Sequence, residues 1–326
     1  MAKHFVRFQY KNKIDWGMVS GEKIFPLQIG DLSTKNLLVG LQKKKIKTPT
    51  KIPSQKIIPQ NNITILSPIT TPCQVICQGA NYKKHSLEAG LNPKSKTYNL
   101  FFTKSDLSIT TAIGDVIRPK HVELLDYEIE LGIVFGKEIN EELDLHSYNP
   151  KEYIAALFIA NDISARDIQL RQLQWYKGKS YRTFFPAGPI LAVLEPNDFD
   201  QIDSLELNLT VNGQLRQSAK ANQMVYPPKE TIAELSGFSR IQVGDVLLTG
   251  TPSGCALKAP GKLKQIFASF LPEHKKWEVF IKGQKKRKEY LQPGDVIKAN
   301  IRTPDGKINL GEQILQVKQG SIDWTT

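Results

Sequence analysis

Apolar and polar residues alternate across Phe5-Val6-Arg7-Phe8 and again across Ile14-Asp15-Trp16-Gly17-Met18-Val19, with the polar Lys11-Asn12-Lys13 between them. Alternation around a short polar break predicts a β-hairpin, so the chain is expected to open with a small β-rich arm. Lysines then mix with Pro49 and Pro53 over residues 43–56, a stretch that neither alternates like a strand nor continues a helix and reads as a linker. From Thr71 onward apolar runs of strand length dominate. Val75-Ile76-Cys77-Gln78 is broken by Gly79, and the run 153–160 is apolar enough to be buried. Helical spacing is clearest over 164–177 and 229–238. Gly244-Asp245-Val246-Leu247 and Gly294-Asp295-Val296-Ile297 each set a Gly-Asp turn before an apolar strand. The expected fold class is mixed α+β and β-dominated rather than doubly wound.

Composition narrows the picture only a little. A length of 326 residues with 40% hydrophobic side chains suits about two domains and a sizeable core. No run approaches the ~18 apolar residues that span a bilayer, and the first ten residues lack the apolar middle of a signal peptide, so no membrane partner and a cytoplasmic location are expected. Three cysteines, Cys73, Cys77 and Cys255, are an odd number suited to a reducing compartment. Cys73 and Cys77 read as packing residues, since no second Cys or His pair stands at ligand spacing. The net charge of +12 admits nucleic acid, a membrane surface or an acidic substrate as partner. Its densest basic run is Lys285-Lys286-Arg287-Lys288, and apart from Trp277, Phe280 and Tyr290 it has no aromatic companions for base stacking. A solvated loop accounts for it, and no nucleic-acid partner is expected.

Candidate chemistry sits elsewhere. In Asp126-Tyr127-Glu128-Ile129-Glu130-Leu131 two glutamates are separated by one apolar residue within an apolar run. On a strand they point to one face about 7 Å apart. Either a solvent-facing edge or a hard divalent cation between them relieves their repulsion. The buried run 153–160 ends at Asn161-Asp162, where a carboxylate needs a partner. Ser164 and Asp167 fit a capping box, which predicts a helix start with Asp162 and Arg166 beside it. Asp162 is then a third oxygen ligand or the ion-pair partner of Arg166. Upstream, a helix over 81–89 would put His85 and Glu88 on one face, as a surface contact or as a carboxylate-held imidazole able to deprotonate water.

Gly79-Ala80-Asn81-Tyr82-x-x-His85-x-x-Glu88, Phe102-Thr103-Lys104, Tyr127-Glu128-x-Glu130-Leu131, Asn161-Asp162-x-Ser164-Ala165-Arg166-Asp167-x-Gln169, Gly178-Lys179-Ser180 and Leu248-Thr249-Gly250-Thr251-Pro252-x-Gly254 follow one another in order. In that order and spacing the chain resembles the fumarylacetoacetate hydrolase family, including acylpyruvate and fumarylpyruvate hydrolases and 2-hydroxyhepta-2,4-diene-1,7-dioate isomerases. The resemblance implies a β-roll catalytic domain over 69–326, after a small N-terminal β-rich domain and linker over 1–68, with an insertion at about 257–290. It implies a homodimer that binds Mg2+ or Mn2+ through Glu128, Glu130 and Asp162. Three carboxylates leave about half of an octahedral shell for water and substrate. Family substrates are 2-oxo acids. Breaking the C3–C4 bond of a 2,4-dioxo acid releases an enolate of pyruvate type, whose negative oxygen a metal stabilises. His85, oriented by Glu88, would activate water, Lys179 would neutralise charge, and Arg166, Gln169 and Thr251 would position substrate oxygens. Without the register, Lys179 reads as a helix C-terminal cation after a Gly178 cap. Two positions depart from the family: Ala221 stands where Thr precedes the Met of T-x-x-M (here Met224), and Arg182 stands where Asp is frequent.

Three readings follow. The first is metal-dependent hydrolysis of an acylpyruvate-like or fumarylpyruvate-like acid. A second is isomerase or 2-oxo acid decarboxylase chemistry through the same enolate. The third, of another class, is a basic polyanion-binding protein on an enzyme-derived scaffold.

Overall fold

The computed structural model describes residues 1–21, 23–49, 57–59, 62–88, 90, 92, 98–259 and 272–321. The linker expectation over 43–56 falls partly, and the insertion expectation over 257–290 centrally, outside the described residues.

The opening hairpin forms as its alternation requires. Strands Lys3–Tyr10 and Lys13–Ser20 pair antiparallel from Phe5↔Met18 to Tyr10↔Lys13. Lys11 and Asn12 lie between them at φ 46° and 60°, the two left-handed residues of a type I′ turn. Strand Lys3–Tyr10 also pairs with Ile190–Val193, which carries the arm into a 13-stranded mixed sheet.

The middle of that sheet is the antiparallel pair Ile129–Phe135 and Ile154–Asn161, in register Ile129↔Asn161 to Ile133↔Leu157. Ile129–Phe135 is buried throughout because the sheet is covered on both faces. Leu131, Ile133, Leu157 and Ile159 point into one apolar cluster, and Val134, Ala156, Phe158 and Ala160 into the other, the period of two expected of strands. Val246–Leu248 runs antiparallel to residues 132–134 and parallel to Val75–Gly79. A five-stranded sheet packs on the first cluster through Leu207, Leu209, Ile297, Ile301 and Leu315. Both Gly-Asp turns form: Asp245 accepts from Gln74 N–H (2.8 Å) and Gln242 N–H (2.7 Å), and Asp295 from Gln292 N–H (2.7 Å).

The helix expected over 164–177 is not one helix. Ser164–Ala165 is a short strand opposite Leu125–Asp126, followed by separate helices Arg166–Arg171 and Trp175–Lys179. Leu173, at φ 54°, breaks the path between them. The capping box does not form, because both side chains have other partners. Ser164 Oγ donates to Asp162 O at 2.9 Å, and Asp167 accepts from Glu123 N–H at 2.9 Å. Over 229–238 the helix is Pro228–Ser236, with proline at its first position where no amide donor is needed.

Candidate active site

The topology brings four chain segments to one end of the central sheet. Ile129–Phe135 begins where Ile154–Asn161, Val246–Leu248 and Val75–Gly79 end, so Glu128, Asp162, Thr249-Gly250-Thr251 and Gly79 meet there. Backbone pairing continues past the strands: Asp162 N–H donates to Glu128 O at 2.8 Å, and Asn161 Oδ1 accepts from Glu128 N–H at 3.0 Å. Carboxylate oxygens of Glu128, Glu130 and Asp162 consequently lie within 4.8 Å of one another, and all three residues are buried.

Three cations compensate this charge. Lys179 Nζ donates to Glu128 Oε2 (2.7 Å), Ser164 Oγ (2.9 Å) and Asp162 Oδ2. Lys104 Nζ donates to Asp162 Oδ1 at 2.7 Å and to Phe184 O at 2.8 Å. Arg166 donates through Nε to Asp126 Oδ2 (2.9 Å), through Nη1 to Gln169 Oε1 (2.9 Å), and through Nη2 to Glu128. The bland alternative of an Arg166–Asp162 ion pair is therefore replaced by Arg166 bridging Asp126 and Glu128. Nor is Gly178 a helix cap. It lies within Trp175–Lys179, where a Cβ would stand 3.0 Å from the Gln169 backbone, so its missing side chain lets the two helices close and carries Lys179 inward.

Four carboxylates (Asp126, Glu128, Glu130, Asp162) face three cations, and the uncompensated charge falls on Glu130. Burial opposes ionisation of Glu128, but Arg166 and Lys179 hold its carboxyl below the ordinary range. Burial pushes Glu130 well above that range, and repulsion from Asp162 and Glu128 adds to it. Its hydrogen bond is from Gly250 N–H at 2.7 Å. Burial disfavours the Lys179 ammonium, yet Asp162 and Glu128 raise its pKa, so it stays charged. An all-oxygen donor set with one charge unmatched fits a hard divalent cation such as Mg2+ or Mn2+.

Glu128, Glu130, Arg166 and Lys179 of this cluster line a cavity of about 520 Å³. His85 and Glu88 stand on its wall in the short helix Lys83–Glu88, with His85 Nδ1 4.0 Å from Glu88 Oε2. That separation exceeds hydrogen-bond length. Glu88 is instead held by Gly254 N–H (3.0 Å) and the Lys258 ammonium. Burial raises its pKa, but His85, Lys258 and the Gly254 amide prevail and bring it to about 2. Gln169 and Thr251 also line the cavity: Gln169 Oε1 accepts from Arg166, and Thr251 Oγ1 donates to Ile129 O (3.0 Å) and accepts from Gln217 Nε2 (2.8 Å). Arg182 is exposed and does not line the cavity, so the charge it reverses is not at the carboxylates.

Sequence reasoning passed over Lys104, Asp126, Gln217 and Cys255. Lys104 and Asp126 lie within or beside quoted motifs, a positional signal that gave no role. Asp126 also accepts from the Ala256 (2.8 Å) and Leu257 (3.1 Å) amides, which ties the segment after Gly254 to the site. Cys255 sits with its Sγ 3.8 Å from Glu128 Oε1. Gln217 lies in the strand Gln214–Lys220, where no motif marks it.

Residues 74–318 match the family described as fumarylacetoacetate (FAA) hydrolase C-terminal. The chain belongs to this family. Among curated relatives, oxaloacetate tautomerase Fahd2a, mitochondrial, of Rattus norvegicus is 36% identical over 213 residues, 64% of this chain and 66% of the relative. Oxaloacetate tautomerase YisK of Bacillus subtilis is 35% identical over 198 residues, 60% and 64% of the two chains. The chain thus matches just under two thirds of these relatives' length. Among solved structures, a probable 2-hydroxyhepta-2,4-diene-1,7-dioate isomerase from Mycobacterium abscessus shares 27% identity at a TM-score of 0.72, covering 99% of this chain and all of that one. A fumarylacetoacetate hydrolase from Exiguobacterium antarcticum shares 25% identity at 0.71, covering 98% of this chain and all of that one. Fumarylacetoacetate hydrolase family enzymes act on small molecules and commonly use a divalent metal, which the buried carboxylates suit. Among the described residues no helix is long and apolar enough to cross a membrane.

Proposed function

We propose that this family member hydrolyses the C3–C4 bond of a 2,4-dioxo acid, with Glu128, Glu130 and Asp162 holding Mg2+ or Mn2+. The observation that carries the reading is the convergence of buried Glu128, Glu130 and Asp162 oxygens within 4.8 Å of one another, with Glu128 and Glu130 on the wall of a cavity that His85 also lines. A cation held there supplies stabilisation for the negative charge that develops on the substrate's 2-oxo oxygen. The protein's own groups do the rest. His85 takes a proton from water, whose oxygen adds to C4. The C3–C4 bond then breaks with its electron pair going to C3, and protonation there yields pyruvate and a carboxylic acid. Glu88, fixed by Gly254 and Lys258, holds negative charge beside the imidazolium that His85 becomes. Lys179, Lys104 and Arg166 hold Glu128, Asp162 and Asp126 in place.

The names of the curated relatives favour a second reading, keto–enol interconversion of a 2-oxo acid such as oxaloacetate. That reaction moves a proton between C3 and oxygen and needs no water. Pyruvate release from a panel of 2,4-dioxo acids, with and without Mg2+, tests the first reading; the decay of enol absorbance of oxaloacetate tests the second. His85→Ala is expected to lower hydrolysis by roughly 100-fold or more, within the range of general-base removal. Equal loss of tautomerisation and hydrolysis counts against the water-activating role. Interconversion without any pyruvate release establishes the second reading in its place.

A further inference from the structure

The family reading explains the carboxylate end of the cavity and leaves its other end without a function. That end is built by the helix Glu273–Lys285, within the segment that reads as an insertion. Trp277, Phe280, Ile281 and Gln284 recur at i, i+3, i+4 and i+7, which puts them on one helix face. The inner positions anchor this face: Ile281 packs on the main core, and Gln284 donates through Nε2 to Lys258 O at 3.0 Å and accepts at Oε1 from buried Tyr290 Oη–H at 2.8 Å. Arg287 Nε donates to Ala256 O at 2.9 Å and so ties down the chain just past the helix. Trp277 and Phe280, edge to face at 5.9 Å, are left as cavity wall.

Leu100, Phe102, Leu170 and Trp175 line the same cavity. Phe102 and Trp175 stack tilted at 5.0 Å, and Phe102 lies under the Lys179 ammonium at 5.1 Å, where the charged floor gives way to rings. Among the described lining residues the cations are Arg166 and Lys179, and both are committed to carboxylates. Lys258, beside the cavity, is committed to Glu88. A second carboxylate at the far end of a substrate would lose hydration there with no uncommitted cation among the described lining residues to receive it. A ring would gain apolar burial.

We propose that the Glu273–Lys285 helix makes this chain selective for 2-oxo acids that carry an apolar, ring-sized group distal to the 2-oxo acid head, with Trp277 and Phe280 as the specificity-determining residues. This rests on the 2-oxo acid reading of the carboxylate end and adds the chemistry of the tail. The class excludes oxaloacetate as the preferred ligand, although relatives carry its name.

Calorimetric titration of the full chain in Mg2+ with pyruvate, phenylpyruvate and oxaloacetate separates the possibilities. Phenylpyruvate is expected to bind roughly 10- to 100-fold tighter than pyruvate, the gain from burying a phenyl ring, and oxaloacetate not to match it. Trp277→Ala and Phe280→Ala should each reduce the phenylpyruvate-to-pyruvate ratio several-fold, and Trp277→Phe should restore most of it. Phe280→Ala serves independently if Trp277→Ala does not fold. Equal binding of phenylpyruvate and pyruvate, a ratio that survives both alanine variants, or tighter binding of oxaloacetate overturns the tail proposal while leaving the head reading in place. Failure of all three acids to bind, with and without Mg2+, overturns the head reading and the tail proposal with it.

Discussion

Glu130 and Arg166 are buried to a similar degree and behave oppositely toward stability. Glu130 has a carboxyl pKa raised by burial and by its acidic neighbours, so its ionised form costs stability at every pH above the ordinary carboxylate range until a cation arrives. Glu130→Gln removes that cost. The metal-free variant is expected to melt no lower than wild type, while Mg2+ raises its melting temperature far less. Its Mg2+ affinity should fall by more than the roughly 10- to 100-fold typical of outer-shell substitutions. A thermal scan across Mg2+ concentrations reads both effects, and a destabilised apo variant with an intact Mg2+ response contradicts the assignment. Arg166 makes the opposite case. Removing its guanidinium leaves Asp126 and Glu128 buried with one partner fewer, so Arg166→Met should cost about 3–5 kcal/mol in a denaturant melt. Adding Asp126→Asn should recover part of that loss, since one of the stranded charges is then gone.

At the scale of elements, the short helix Lys83–Glu88 is held against the segment 254–258 by Glu88, which accepts from Gly254 N–H and Lys258. Gly254 is required there: its φ is +109° and a Cβ would stand 1.9 Å from Arg216 O. The Glu88 pKa lies at about 2, below its unfolded value, so its contribution to stability is complete above the ordinary carboxylate range and is lost as pH falls toward 2. Lys258→Met should therefore melt below wild type near neutrality, with the two curves converging as pH approaches 2. A constant offset across that range would assign Lys258 a packing role instead. Elements of this kind also show where sequence reasoning holds and where it stops. Strand periodicity was legible because each run of alternating or fully apolar residues has one way to bury itself, as 129–135 and 154–161 do. The Glu128, Glu130 and Asp162 constellation was legible through order and spacing. The helix start at Ser164 was not, because a local capping pattern competes with tertiary partners, and here Asp162 and Lys179 take the Ser164 hydroxyl. Lys104 and Gln217 were equally hidden: their partners lie 58 and 34 residues away along the chain, at Asp162 and Thr251.

At the scale of the whole molecule, the N-terminal arm and the catalytic sheet share both hydrogen bonds and core. Phe5, Trp16, Leu37 and Leu38 belong to the same buried cluster as Cys77, Phe158, Phe185 and Val246, and strand Lys3–Tyr10 extends the sheet through Ile190–Val193. The face of Ile129–Phe135 and Ile154–Asn161 opposite the five-stranded sheet is thus covered in part by residues from the first 40 positions. Those strands present Glu128 and Asp162 at their ends, so the arm packs against the same sheet that carries the carboxylates. Phe5→Ala removes a fully buried ring and should cost about 3–5 kcal/mol. If arm and sheet unfold as one unit, the loss appears as one transition moved down in temperature, seen alike by Trp16 fluorescence quenching and by far-ultraviolet dichroism, with the Mg2+-induced shift of that transition retained. An arm that folds independently would instead give an early fluorescence transition of its own and leave the dichroism midpoint where it is in wild type. Coincident midpoints in the variant therefore decide for a shared core across the arm and the sheet.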